Sequence, residues 1–361
     1  MEIPNLDKFP QKVLAGIDIQ RAFIVSRLIV AAERLQVFRV LHGRRMKAAS
    51  IGRALKIHEV YRDTFLNSLV SLGLLHRTKD IYWNTRFAEK YFFDERSIYW
   101  TRQYSEECIE AYETLTVLEQ ALASGRSCAS IQGLKRPSYT DEMMRDRRRA
   151  EDFTQMLFHF HRDDAEALAK RLDLSKHRTL LDVGGGSGVM SIALAKKNPR
   201  LQACVLDLAT VCDVAAGNIK RAGLSQRVRT LPGNIRRKLP TGYDVIMFCD
   251  IGTVSQQLLK SAYRSLPAGG RVVAVDRYFS EDGTQPLDRL VAHFVGSSFP
   301  LTTRSAMSAA LQSSGFHAVK SRGVHRDLWM ITGTKPGVLM PRSKKVASSG
   351  SSRRPRRPTA R

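Results

Sequence analysis

Nine residues, LLDVGGGSG at 180–188, constrain this 361-residue chain more than any others. They close the apolar run TLLDV and lead into the helical stretch VMSIALAKK, so the glycines make a strand-to-helix turn. Glycines 184, 186 and 188 allow a tight turn and close backbone approach, and the amino end of the next helix offers unpaired N–H groups. Such a turn can also be a plain connection, so its meaning depends on what stands opposite it. The following apolar run ends in VLDL, which places Asp207 19 residues after Gly188. In a parallel sheet that carboxylate reaches the tip of the neighbouring strand, where it can bind both hydroxyls of a ribose.

The chain around this pair alternates short apolar runs with helical ones from Thr179 onward: TLLDV, LQACVLD, RVRTL, YDVIMFCD and RVVAVD, with helices between them. Alternation at this spacing implies a parallel sheet covered on both faces, and FHAVKSRG with DLWMITGT reads as an antiparallel hairpin at its edge. Before Thr179 the texture differs. Apolar residues at three-and-four spacing predict helices from Ile19 to about Leu41, Ala48 to Leu55 and Glu59 to Leu74. HRTKDIYWNT then turns at Lys79-Asp80 between two extended runs. Three helices and a wing make a winged-helix arrangement. Residues 97–125 and 141–172 also read as helical, with a Gly/Ser/Pro-containing loop between them. The expected domains are 1–100, a helical region 101–178 contributing to a pocket, a nucleotide-binding domain 179–341, and a tail 342–361.

Charge is the unusual bulk property: 58 Lys+Arg against 34 Asp+Glu, a net of +24. Eight basic residues and no acid fall in 342–361, a Ser/Arg/Pro segment that cannot build a core, while residues 1–100 carry +7. The tail reads as a disordered appendage in weak contact, at most, with anionic surfaces. Five cysteines without C-x-x-C spacing argue against a disulfide framework or a zinc site, and no metal is expected. No apolar run approaches the ~18 residues that span a bilayer, so the expected location is cytoplasmic.

The cofactor class follows from Asp182, the acid just before the glycines. It would repel a pyrophosphate, and it suits a cofactor with an amino group and a cation, favouring S-adenosylmethionine over a nicotinamide dinucleotide. From about residue 20 to 336 the chain resembles the class I S-adenosylmethionine-dependent methyltransferases. Within them it is most similar to the small-molecule O-methyltransferases, which include plant caffeate-type and bacterial polyketide, carotenoid and bacteriochlorophyll enzymes. LLDVGGGSG, VLDLATV, LPGNI and LPAGGRVVAVD carry the resemblance in one half; MKAASIGRAL and LNSLVSLGLLHRTKDIYWNT carry it in the other. It implies a Rossmann-like, seven-stranded α/β domain preceded by an all-helical winged-helix dimerisation domain, hence a homodimer. The resemblance assigns S-adenosylmethionine to Asp182, Gly184, Gly185, Gly186, Asp207, Leu208, Gly233, Asn234 and Asp250, with Asn234 standing where the family generally has an aspartate.

The expected reaction is methyl transfer to a hydroxyl of a small hydrophobic aromatic, polyketide or isoprenoid acceptor. The plant-type enzymes carry a histidine base after the fourth strand; here FCDIGTVSQQ puts Gly252 and Thr253 there. His293, in LDRLVAHFVGSSFPL, is the candidate base in its place, and Met156, His159 and Phe160 are candidate pocket residues. His159 and His161 lie two apart on a helix and point to different faces. The alternatives are carbon methylation of a tetrapyrrole-like macrocycle, a catalytically silent cofactor-binding protein, and a winged-helix DNA-binding protein. HEVYRDTFLNSLVSLGLL, with one Arg, two acids and many apolar residues, makes a poor major-groove surface, and no specific nucleic-acid partner is expected.

Overall fold

The computed structural model describes residues 22–93, 109–134, 138–296 and 301–337; the tail at 342–361 and the expected start of the first helix at Ile19 lie outside them. Helices α1 (Ala22–Arg34) and α2 (Val37–Val40) replace the single helix expected to Leu41. The break is at Gln36, which takes a left-handed φ of 62°. Helices α3 (Ala48–Leu55) and α4 (Glu59–Ser71) follow, then wing strands β2 (Leu75–Thr78) and β3 (Ile81–Asn84), turning at Lys79 with φ 54°. Strand β1 (Met46–Lys47) pairs with β3, so this region is not all-helical: it contains a three-stranded sheet in the order β1-β3-β2. Its core gathers Phe38, Ile51, Leu66, Leu69, Leu74 and Tyr82. Helix α5 (Arg86–Phe92) is capped by the Thr85 hydroxyl, which accepts from the Ala88 N–H.

The helical region contains α6 (Leu118–Ser124), α7 (Cys128–Ile131), α8 (Tyr139–Arg145), α9 (Arg147–Phe160) and α10 (Arg162–Arg171). The helix expected over 141–172 is therefore three. Asp146 leaves helical geometry to cap α9, its carboxylate accepting from the Arg149 N–H at 2.9 Å. His161 forms the second break, at φ −86° and ψ 6°, and the joint turns its ring into the protein.

The large sheet holds β4 (Thr179–Val183), β5 (Gln202–Asp207), β6 (Val228–Pro232), β7 (Val245–Cys249), β8 (Arg271–Asp276), β9 (His317–His325) and β10 (Leu328–Thr334). Its order is β6-β5-β4-β7-β8-β10-β9, parallel through β8 and closed by the antiparallel β9/β10 hairpin expected at the edge. Runs such as LLDV and VIMF are buried throughout because both faces are covered. Helices α10, α11 (Val189–Lys197) and α12 (Ala209–Arg221) pack one face through Leu168, Leu194 and Ile219. The other face is packed by α13 (Gln256–Ser265) and α15 (Arg304–Ser313), through Leu259, Met307 and Leu311. Between β8 and α15 runs α14 (Leu287–Val295). The strand order reverses direction at β4, and ligands of open α/β sheets bind outside the carboxyl ends of the strands at such a point.

Candidate active site

At the tips of β4 and β5 the glycine turn and Asp207 are joined directly. Asp207 is buried; its Oδ2 accepts from the Gly186 N–H at 2.8 Å and its Oδ1 from the Leu208 N–H at 2.7 Å. Burial raises its pKa, while these two backbone donors oppose the rise. Each carboxylate oxygen keeps acceptor capacity for a further donor. Gly184, at φ 68°, donates to the Leu206 carbonyl at 2.7 Å, and a Cβ there would meet Ile251 Cγ2 at 2.7 Å. The turn thus touches the end of β7 and has no room for a side chain. At Gly186, also at positive φ, a Cβ would meet nothing within 4 Å, so that side of the turn opens outward.

Asp182 lies fully buried behind the turn. The Ser191 hydroxyl donates to its Oδ2 at 2.7 Å, while Oδ1 has no partner among the described residues. Burial pushes its pKa up to about 7, the Asp207 charge adding to the rise and the serine opposing it. A buried carboxylate with an orphaned oxygen, a glycine turn open on one side and a clasped carboxylate at the next strand tip together fit S-adenosylmethionine.

The rim residues are less uniform. The Gly233 N–H donates to the Asp207 carbonyl at 2.8 Å, and a Cβ there would come within 2.8 Å of Leu206 Cδ1. Asn234 is exposed and its side-chain oxygen accepts from the Arg236 N–H at 2.9 Å, a local turn contact. Leu208 packs with Met143, Ala150, Phe153 and Val211, which brings α8 and α9 over the start of α12. Asn218 ties the same elements, donating to the Ser187 carbonyl at 3.0 Å and accepting from Gln155 at 3.1 Å.

Beyond β7 and β8 the chemistry changes to side-chain charge. Asp250, at left-handed φ 49°, accepts from Arg289 Nη2 at 3.1 Å, faces His161 Nε2 at 3.4 Å and lies 3.8 Å from Arg277 Nη1. Arg289 also donates to Asp276 at 2.9 Å. His161 Nδ1 lies 3.4 Å from Asp164, which accepts from Arg277 at 2.8 Å and pairs with His325 Nδ1 at 2.7 Å. Burial opposes the charged forms of Asp164, Asp250, Asp276, His161 and Arg277, and at Asp164, Asp250, His161 and Arg277 the pairing outweighs it. Asp250 is held at about 2 by His161 and both arginines, and Asp164 falls well below the usual carboxylate range. Burial lowers the proton affinity of His161, but Asp164 and Asp250 outweigh it and raise the pKa above its ordinary value. Asp276 moves up, through burial and then repulsion from Asp250.

Of the expected pocket residues, Phe160 adjoins this network, with the Arg277 guanidinium 5.2 Å from its ring centroid. Met156 is buried, and His159 is half-buried against the edge of Phe158. His293 is exposed on α14, and none of the ion pairs around Asp250 includes it. Asp164, Asp276, Arg277, Arg289 and His325 had no sequence signal of their own. A positional one existed: Asp250 follows β7 and Asp276 ends β8, at the carboxyl ends where ligands bind. In the amino-terminal region α4 exposes Val60 and Tyr61 at 66% and 70%, and Arg62 pairs with its neighbour Asp63 at 2.7 Å, a surface suited to packing. Among the described residues no helix is long and apolar enough to cross a membrane.

Comparison with known proteins gives these elements a context. Residues 118–304 match the O-methyltransferase domain, and residues 17–93 match the O-methyltransferase dimerisation domain. The chain is similar to the 3-hydroxy-5-methyl-1-naphthoate 3-O-methyltransferase of Streptomyces sahachiroi, 27% identical over 277 residues, or 75% of this chain and 79% of that one. A shorter match, 40% identical over 126 residues, joins 33% of this chain to 34% of the L-tyrosine C(3)-methyltransferase of Streptomyces lavendulae, about a third of that relative's length. In fold it is similar to NcsB1, an O-methyltransferase from neocarzinostatin biosynthesis solved with S-adenosylmethionine and 2-hydroxy-5-methyl naphthoic acid. That match has a TM-score of 0.74 at 18% identity, covering 89% of this chain and 99% of that one.

Proposed function

The chain belongs to the O-methyltransferase family, and from that premise we propose that it moves a methyl group from S-adenosylmethionine to a hydroxyl of a small hydrophobic aromatic, polyketide or isoprenoid acceptor. The observation that carries the reading is the clasp between Asp207 and the Gly186 N–H, which sets a buried carboxylate beside an open glycine turn. Similarity to a naphthoate O-methyltransferase over 75% of the chain supports the acceptor class.

Bound at this turn, the cofactor supplies a methyl group on a sulfonium, and its transfer depends on in-line alignment and exclusion of water. Asp207 would hold the ribose, and the glycine turn would pass along the methionine end with Asp182 behind it. The apolar cluster of Met143, Ala150, Phe153, Leu208 and Val211 would keep water from the ribose side. Asp250 and Phe160 would border the acceptor. A second copy of the chain would dock through the dimerisation domain, where Val60 and Tyr61 are exposed.

The test is incubation with S-adenosylmethionine carrying a deuterated methyl group and a panel of hydroxylated naphthoates and anthraquinones, read by mass and proton NMR. A labelled methyl ether supports the proposal. Cofactor binding with no labelled product from any hydroxylated compound would favour a silent binding protein. A methyl group on ring carbon would favour carbon methylation, a second reading supported by Gly252 and Thr253 after β7, which offer no base, and by the match to a C-methyltransferase. Light scattering should return twice the chain mass of 40.6 kDa.

A further inference from the structure

Methylating a hydroxyl releases a proton, and Gly252 and Thr253 after β7 offer no base to take it. The buried network beside them does. Asp250 is its most accessible member near the turn: its side chain is 21% exposed, against 9% for His161, 6% for Asp164, 16% for Arg277 and 11% for Arg289. The next residue, Ile251, borders Gly184, so Asp250 stands at the level where the methionine end of the cofactor would lie. Its left-handed backbone, φ 49°, accompanies a carboxylate that meets His161 and Arg289 rather than continuing along the strand.

Resting on the hydroxyl-methylation reading above, we propose that Asp250 and His161 form a proton-accepting pair, with Asp250 touching the acceptor hydroxyl and His161 acting behind it as a positioning residue and proton store. As the acceptor oxygen bonds to the methyl carbon and the carbon–sulfur pair stays on sulfur, the O–H bond breaks and its electron pair remains on oxygen. The proton passes to Asp250 Oδ2 and on to His161 Nε2, 3.4 Å away. Asp164 fixes the useful tautomer: it faces His161 Nδ1 at 3.4 Å and so holds the N–H there, leaving the Nε2 lone pair toward Asp250.

The surrounding charges suit this role. Facing the pair are Asp164 from α10, Asp276 and Arg277 from the end of β8, Arg289 from α14, and His325 and Asp327 from the β9/β10 hairpin. With both histidines neutral the two arginines leave the buried carboxylates in excess, and a proton on His161 reduces that excess. The direction of its shift agrees: the carboxylates outweigh burial and raise its proton affinity. The working form is the unprotonated one, so turnover rises with pH through a pKa above the ordinary 6.5.

The experiment uses the full chain with 3-hydroxy-1-naphthoate and a ring-halogenated analogue of lower phenol pKa, under steady-state turnover. In His161→Asn and His161→Gln, kcat should fall by about 100-fold and the rising limb of the pH profile should vanish, with KM for S-adenosylmethionine and the Kd for S-adenosylhomocysteine within about twofold. A limb that moves with the acceptor's own pKa, or persists in both variants, overturns the proposal. A parallel loss of affinity and folding, with an unchanged profile, marks a structural role only and also overturns it. NMR of histidine-labelled, ligand-free protein separates this from the hydroxyl reading. His161 should titrate above 6.5 and fall in Asp250→Asn, while an unmoved value refutes the pair whatever the acceptor proves to be.

Discussion

The two ends of the same row of strand tips are built from different material. At β4 and β5 the contacts run through backbone: Gly186 and Leu208 N–H groups on Asp207, and Gly233 on the Asp207 carbonyl. At β7 and β8 they run through side-chain charge, with His161, Asp164, Asp250, Asp276, Arg277, Arg289 and His325 drawn from segments more than 160 residues apart. Backbone sites tolerate little variation because a Cβ at Gly184, already at positive φ, would run into Ile251. Charge networks tolerate variation in who supplies each charge, but not its loss, since burying an unpaired ion costs far more than burying a neutral group. A shared cofactor therefore suits the first construction, and acceptor chemistry that differs between enzymes suits the second.

That contrast breaks most sharply at Arg277. Removing it takes from Asp164, which is 6% exposed, its arginine at 2.8 Å and leaves it paired with His161 and His325 alone. Arg277→Ala should cost about 3–5 kcal/mol in urea unfolding, the range for deleting one partner of a buried pair. A loss below about 1 kcal/mol would mean the acceptor end is solvated like a surface ion pair, and the contrast between the two ends would fail.

The cofactor end has one charge problem of its own, in Asp182. Its folded pKa of about 7 lies above the unfolded 3.8, so the folded protein resists ionisation. The ligand-free protein should lose on the order of 2–4 kcal/mol between about pH 4 and 7 as the unfolded chain ionises and the folded one does not. Asp182→Asn should flatten that part of the curve and raise the ligand-free Tm at pH 7. A stability curve identical to the parent's would show that burial does not raise the Asp182 pKa in the folded protein.

Why one end was legible in the sequence and the other was not follows from the same construction. Asp182, the glycines and Asp207 lie within 26 residues, and the strand–turn–helix period fixes their relation. The hairpin, the sheet and the wing were legible for the same reason: local apolar periodicity decides them. What was missed depends on closure in three dimensions. The helix over 141–172 breaks at His161 because the ring is drawn inward to Asp164 and Asp250, a tertiary demand that overrides a continuous helical pattern. Likewise Gln36 interrupts the first helix with no proline or glycine to announce it. His293 lies in the helix that follows β8, yet membership of that helix does not set which face a side chain takes.

Asp207 gives a smaller effect with a clear direction. Asp207→Ala should weaken S-adenosylhomocysteine binding by at least about 1.5 kcal/mol, roughly tenfold, the scale of a hydrogen bond to a charged group. Because Asp207 also accepts from Gly186 and Leu208, Asp207→Asn separates the roles. It keeps one acceptor but sets an amide donor against one of the two N–H groups, so it should weaken binding as much as alanine while disturbing the turn. Unchanged affinity in calorimetry for both variants would place the ribose elsewhere.

The smallest effect falls on α14. His293 and His161 are both histidines of the carboxyl-side rim, but His293 is exposed on α14 and His161 is buried between two carboxylates. If burial and charge partners make the base, His293→Ala should leave kcat within about threefold and stability within about 0.5 kcal/mol, as for ordinary surface substitutions. If proximity of α14 to the acceptor makes the base, the same variant should lose about 100-fold in kcat with KM for S-adenosylmethionine unchanged. One variant assayed with hydroxynaphthoate at pH 7 and 9 therefore decides which of the two histidines handles the proton. A large loss at His293 would return the buried network to a purely structural part.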